Sequence, residues 1–277
     1  MTRTILMVLS ICLLIEIQAF GQTTDLVERQ WNVDGVQRQA LVHIPSRSSS
    51  SKMPLLFAFH GHGGTMRYAA NNFRYHKIWP EAIVVYMQGL PTKGALTDPQ
   101  GVRNGWQKYA GDEGDRDLKF FDAVLASLKK ENPVDDKRIY VTGHSNGGSF
   151  TYVLWAERGD TFAAVAPAAA VAARSMPNMK PKPAMHIAGT RDELVRFQAQ
   201  ERTMRAVQKL DGCAEKGQPW ATSGSLVGTM YPGANGMSFV SVIYPGTHKF
   251  PEEAPELIVK FFKSQHLDSP AGASSRN

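Results

Sequence analysis

Residues 139–149 read IYVTGHSNGGS: a β-branched and aromatic run climbs to Gly143, His144, Ser145 and Asn146 follow, and Gly147 and Gly148 close the phrase. A serine between small residues, where an apolar strand ends and a helix can begin, is how a nucleophile is held on a sharp turn. The glycines matter sterically, because such a turn strains the backbone and brings strand and helix together. The plainer alternative is a strand-to-helix corner that needs glycine and nothing more. A serine hydroxyl is a poor nucleophile until a base takes its proton, and the base must itself be oriented by an acid. Downstream, GTRDEL places Asp192 just past one apolar run and YPGTHKFP places His248 just past the last. Glu193 and Asp211 compete for the role of acid, but Glu193 points differently at a strand end and Asp211 falls at a helix end. Among the other histidines, His43, His76 and His266 lie far from the expected position and His186 opens a core strand, which leaves His248 as the base.

Acyl transfer also needs donors for the oxyanion that develops on the carbonyl oxygen. HGHGGT (residues 60–65) follows an apolar run and supplies a glycine-rich loop. The backbone N–H of His62, together with that of Asn146 next to the serine, is the expected pair. Losing one such donor typically costs about 3–4 kcal/mol of transition-state stabilisation. His60, His62 and His144 could also be read as a metal cluster, but H-x-H without carboxylate or cysteine neighbours is a poor metal signature. No metal and no organic cofactor is expected. Trp106, in the NGW of a long irregular stretch (89–116), either lines an acyl or sugar pocket or is a packed loop tryptophan. Asp117 reads as the N-cap of the helix DLKFFDAV rather than as a catalytic acid.

These residues need elements to position them. ERQWNVDGVQRQALVHIP alternates around Asp34-Gly35 as a hairpin does. SRSSSSKM (46–53) reads as a polar surface loop. Apolar strands and amphipathic helices then take turns: MPLLFAFHG, a helix over 66–77, AIVVYMQG, the helix DLKFFDAVLASLKKEN, RIYVTGHS, the helix NGGSFTYVLWAERG, FAAVAPAAA, AMHIAGT, the helix ELVRFQAQERTMRAVQKLDG, FVSVIYPGTH and the helix PELIVKFFKSQ. Continuous apolar strands alternating with helices predict an α/β fold, a mostly parallel central sheet with helices on both faces. Ligands of such sheets bind at the carboxyl ends of the strands. His60 to His62, Ser145, Asp192 and His248 all fall at such ends.

The 277 residues are 43% hydrophobic and 20% charged, ordinary for one large α/β domain. Residues 1–21 differ: Arg3 precedes an apolar run from Ile5 to Ile17, and Ala19-Phe20-Gly21 offers small residues for a peptidase. This reads as a secretory signal peptide, with an uncleaved anchor as the alternative, although the run is shorter than the roughly 20 residues that span a bilayer. The expected organisation is signal 1–21, catalytic domain 22–268 and tail 269–277, in a secreted or periplasmic protein without stable membrane association once the signal is removed. With Cys12 in the signal, Cys213 stands alone and cannot form an internal disulfide. The net charge of +6 is scattered, with no basic–aromatic stripe, so no nucleic-acid partner is expected.

Taken together, HGHGG, VVYMQG, NGW, VDDKRIYVTGHSNGGSFTYVLWAE, FAAVAP, AGTRD and GTHKFP resemble the polyhydroxybutyrate-depolymerase-type esterases, close to the feruloyl and acetylxylan esterases of carbohydrate esterase family one. The resemblance spans residues 55–263 and implies the α/β-hydrolase fold with Ser145 as nucleophile, Asp192 as acid and His248 as base. It implies a small-molecule or polysaccharide- or polyester-linked ester as substrate. The chain departs from the pattern where many relatives have a cysteine near the oxyanion loop (here His62), at Arg116-Asp117 where relatives often have Asp-Asp, and at Phe250 where a tryptophan is usual. With little chain after the closing helix, no polymer-binding domain is expected, which favours soluble or polysaccharide-linked esters over solid polyester.

Overall fold

The first hairpin closes through Asp34 and Gly35, both in the left-handed region (φ 50° and 81°), the turn whose twist matches that of its strands. It joins β1 (Val27–Val33) to β2 (Val36–His43). The structure, a computed structural model, describes residues 26–46, 52–94 and 97–267; the expected signal (1–21), the expected tail (269–277) and residues 47–51 of the polar loop lie outside them.

From β3 (Met53–Phe59) onward the chain alternates as the pattern predicts. α1 (Met66–Phe73) and α2 (Tyr75–Ile78) lead to β4 (Ile83–Met87), and the short pair β5 (Leu90–Pro91) and β6 (Asn104–Gly105) ties the next loop. α3 (Arg116–Glu131), β7 (Val134–His144), α4 (Asn146–Arg158), β8 (Ala164–Ala168), β9 (Ala184–Gly189) and α5 (Phe197–Leu210) follow. β10 (Gln218–Ser223) and β11 (Leu226–Tyr231) precede β12 (Phe239–Tyr244) and the closing α6 (Ala254–Lys263). The main sheet runs β1-β2-β4-β3-β7-β8-β9-β12-β11-β10. Its six central strands, β4 to β12 in that order, are mutually parallel, and antiparallel strands extend both edges.

Alternation along the strands sorts the core onto two faces. Phe57, Phe59, Val141 and Val165 pack with α3, α4 and α5 on one side. Leu56, Ala58, Tyr86, Tyr140 and Ile187 pack with α1 and α6 on the other. Fully burying one such large side chain stabilises the fold by about 1.5–3 kcal/mol. Both faces being covered explains why the central strands read as unbroken apolar runs.

Three boundaries differ from the sequence reading. The helix expected over 66–77 breaks at Arg74, whose φ of 50° ends α1 and starts α2. α5 begins at Phe197, because the four preceding residues turn around Asp192, whose Oδ1 accepts from the N–H groups of Leu194 (3.0 Å) and Val195 (2.9 Å). Asp117 is not a cap. It lies inside α3, and the side chain of Gln107 instead accepts from the N–H groups of Asp117 and Leu118, both at 3.1 Å. Asp117 is fully buried and pairs with the buried Arg38 at 2.7 Å.

Candidate active site

β7 delivers Ser145 to the carboxyl edge of the sheet and α4 begins at the next residue. Ser145 has φ 57° and ψ −118°, a conformation that costs of order 1–3 kcal/mol and persists only where the surroundings enforce it. Two glycines make the corner possible. A Cβ on Gly143 would collide with the backbone oxygen of Gly147, and one on Gly147 would collide with that of Phe59. The Ser145 N–H donates to the carbonyl of Ala168 at the end of β8 (2.9 Å), which fixes the corner from the other side.

The three residues separated by 103 positions in sequence meet here. His248 Nε2 lies 2.7 Å from Ser145 Oγ, and His248 Nδ1 lies 2.8 Å from Asp192 Oδ2. A carboxylate only accepts, so the hydrogen on Nδ1 is directed to Asp192 and the neutral ring turns its Nε2 lone pair to the serine hydroxyl. Asp192 is 4% exposed, whereas the His248 side chain remains 21% exposed and open to a substrate. Glu193 and Asp211, the competing acids, do not enter this line. Asp211 sits at the end of α5, where burial pushes its carboxyl up to about 7.

His144 supports His248 from beneath: its Nε2–H donates to the carbonyl of His248 at 2.8 Å, and its ring packs against Phe250. Burial, then the neighbouring His248, lowers its pKa to about 4, so it is neutral at ordinary pH.

His62 and Asn146 flank Ser145 in a cleft of about 540 Å³ that also takes in Tyr68, Val171, Leu194 and Val195. The volume is within the range of small-molecule sites. Asn146 is the first residue of α4, where N–H groups have no intrahelical acceptor. The His62 ring leans on the backbone at Gly94 and Gly105, and its Nε2 lies 3.1 Å from Asp98 Oδ2.

Trp106 is not a wall of this cleft. It is fully buried, stacks on Phe150 and meets Phe59 edge-on. Its indole N–H donates to the carbonyl of His60 (2.8 Å), its backbone N–H to Asn146 Oδ1 (2.7 Å), and its carbonyl accepts from Asn146 Nδ2 (3.1 Å). The NGW loop therefore works as a clamp between the HGHGG loop and the start of α4. Asn104 completes it by accepting the Gly63 N–H at 2.7 Å. Asp98, Gln107 and Gln200 are site-supporting residues that the sequence did not single out, because their partners are distant or lie in irregular loops. Among the described residues no group of three or more histidine, cysteine or acidic residues could hold a metal ion. Cys213 is half-buried, its sulfur facing the carbonyl of Met237.

A mostly parallel sheet with helices on both faces and a serine on a strained strand-to-helix turn define the fold: the protein has the α/β-hydrolase fold. The Prolyl oligopeptidase family profile matches residues 104–176. The chain is 25% identical over 238 residues to a probable feruloyl esterase C of Aspergillus terreus, covering 83% of this chain and 82% of that protein. It is 28% identical over 176 residues to a bifunctional acetylxylan esterase/xylanase of Neocallimastix patriciarum, covering 60% of this chain but only 23% of that longer protein. The solved acetyl xylan esterase from Aspergillus awamori superposes with a TM-score of 0.61 at 15% identity, over 86% of this chain and 99% of that one. The chain is similar in sequence to feruloyl and acetylxylan esterases, and it is a serine hydrolase of ester bonds.

Proposed function

We propose that the protein is a carboxylesterase working through Ser145, His248 and Asp192, with feruloyl or acetyl esters of plant polysaccharide as its substrates. The observation that carries the reading is the unbroken line from Ser145 Oγ through His248 to the buried Asp192 at the mouth of the cleft. As Oγ bonds to the ester carbonyl carbon, its proton passes to His248 Nε2, and Asp192 orients and stabilises the imidazolium. The N–H groups of His62 and Asn146 receive the oxyanion. Collapse breaks the carbon–alkoxy bond, and His248 returns its proton to the departing alcohol, leaving an acyl-Ser145. Water, deprotonated by the same ring, then releases the acid and restores the hydroxyl. The names of the relatives support the substrate class. Short hydroxyalkanoate esters, which the wider family resemblance suggests, belong in the same substrate panel, and so do peptide amides, since the matched profile is named for oligopeptidases. The apolar run in residues 1–21 supports export, so the enzyme would meet its substrate outside the cytoplasm.

The test is hydrolysis of p-nitrophenyl acetate, methyl ferulate, acetylated xylan, hydroxybutyrate oligomers and a peptide anilide by wild type and by Ser145→Ala. Ser145→Ala should lower kcat by about 10⁴-fold or more on every ester cleaved. Equal rates for the two proteins would overturn the assignment.

A further inference from the structure

The line through the triad does not stop at Asp192. Its Oδ2, the oxygen facing His248, lies 3.0 Å from Gln200 Nε2 on α5. The same nitrogen lies 2.6 Å from the carbonyl of Val195. Both partners only accept, so the amide must turn its nitrogen toward them. Gln200 Oε1 then faces His186 Nε2 at 3.1 Å, and since an amide oxygen cannot donate, His186 carries its hydrogen on Nε2. Its Nδ1 is left to accept, and the Tyr152 hydroxyl lies 2.7 Å away to donate. Gln200, His186 and Tyr152 are all buried beneath the sheet's carboxyl edge.

We infer that Gln200 is a positioning residue for the triad, holding the Asp192 carboxylate through a one-way hydrogen-bond chain that starts at Tyr152. Every donor in the chain points toward Asp192. Hydrogen bonds aligned in this sense polarise one another in a low-dielectric interior. Asp192 thus has four donors: two backbone N–H groups on Oδ1, and His248 and Gln200 on Oδ2. The carboxylate keeps its place and shares its charge with a neutral amide, which limits how strongly it draws the proton onto His248. The titratable groups facing the chain and its His248 end are Tyr152, His186 and Asp192, Asp211, whose charge bears on Tyr152, His144, whose ring packs on His248, and Tyr244, which feels the charge of Asp192. Burial lowers the pKa of His186 to about 4, so the chain keeps one protonation state across the working range of an esterase.

This inference rests on the proposed triad, and Ser145→Ala, assayed alongside, tests that reading separately. Gln200→Met keeps the length of the side chain and removes both the donor and the acceptor. kcat on p-nitrophenyl acetate should fall by about tenfold with KM within twofold, the pattern of a misplaced reacting group. The acid limb of the pH profile of kcat/KM should move upward, because an Asp192 without its amide donor holds the His248 proton more tightly. Tyr152→Phe, which leaves every triad contact in place, should shift the limb in the same direction by less. In the Gln200→Met background Tyr152→Phe should then change nothing further. A wild-type kcat and pH profile for Gln200→Met would overturn the inference even if that variant melts at a lower temperature. An effect of Tyr152→Phe of equal size in both backgrounds would do the same. If Gln200→Met fails to fold, an unshifted limb for Tyr152→Phe alone overturns it and a shifted one supports it.

Discussion

The sheet has a cleft at each end, and the larger one does not hold the Ser145–His248–Asp192 line. At the amino ends of β3, β4 and β7 a cleft of about 980 Å³ is lined by His43, His76, Arg138, Tyr140 and Lys263. At the carboxyl ends the cleft holds about 540 Å³ and contains Ser145 and His248. Both ends have histidines, and the larger cleft has more cations. The difference lies in what the backbone does. At the amino end the chain enters the strands extended, and prolines 54, 80 and 133 line the opening. At the carboxyl end a strand turns into a helix within one residue, which presents a strained serine beside the open N–H groups of α4. The amino-end histidines serve structure: His43 Nε2 faces the carbonyl of Pro80 at 3.1 Å, and His76 Nδ1 faces the Tyr86 hydroxyl at 2.9 Å. Volume and titratable side chains do not make this site; the turn does.

Exchanging histidines between the two ends gives the largest expected contrast. His248→Ala should cut kcat by about 10⁴-fold or more, whereas His76→Ala should lower the melting temperature and leave kcat within about twofold. Steady-state kinetics on methyl ferulate reads both, and comparable losses in the two variants would erase the distinction. An intermediate effect concerns acid. Burial holds the pKa of His60, the first residue of the HGHGG loop, and of His186 at about 4, against 6.5 when exposed. The unfolded chain therefore binds more protons between these values, so stability is full above about 6.5 and falls as pH drops toward 4. Each histidine contributes about 1.4 kcal/mol per pH unit. Asp211 works in the opposite sense: its carboxyl is pushed up to about 7, so it favours the fold as pH falls through the same window and cancels about one histidine. Calorimetry at pH 6.5 and 4.5 should show a lower melting temperature at 4.5, and a flat or rising profile would contradict the burial of these groups. The smallest effect belongs to the amino-end cleft. Lys263→Ala, which removes a cation over the Trp79 ring, should change stability by no more than about 1 kcal/mol and leave kcat/KM on esters unaltered.

Much of this architecture was legible because each central strand is buried on both faces and reads as an unbroken apolar run. The corner at Ser145 was legible because only glycine fits at 143 and 147. The antiparallel hairpin β10–β11 was not: QPWATS and LVGTMY lie half-buried at the sheet's edge and carry proline and glycine, so neither a continuous nor a cleanly alternating pattern marks them. Trp106 was ambiguous because composition cannot tell a loop aromatic that faces ligand from one that faces Phe150. Gln200 was hidden because a glutamine on an amphipathic helix reads as solvent-facing, and only the fold brings Asp192 and His186 to either end of its amide.

The buried pair of Arg38 and Asp117 joins the outer hairpin to α3, and Asp117 Oδ2 also accepts the backbone N–H of Gln107, next to Trp106. The hairpin forms one edge of the sheet, yet through this pair it anchors the loop that clamps the HGHGG segment. A shortened chain that starts after β2 would take away the 2.7 Å partner of the buried Asp117 and leave only Arg116 at 3.9 Å, a loss of up to about 3–5 kcal/mol. The edge of the sheet, remote from the cleft, thus shares in holding the loop that borders it.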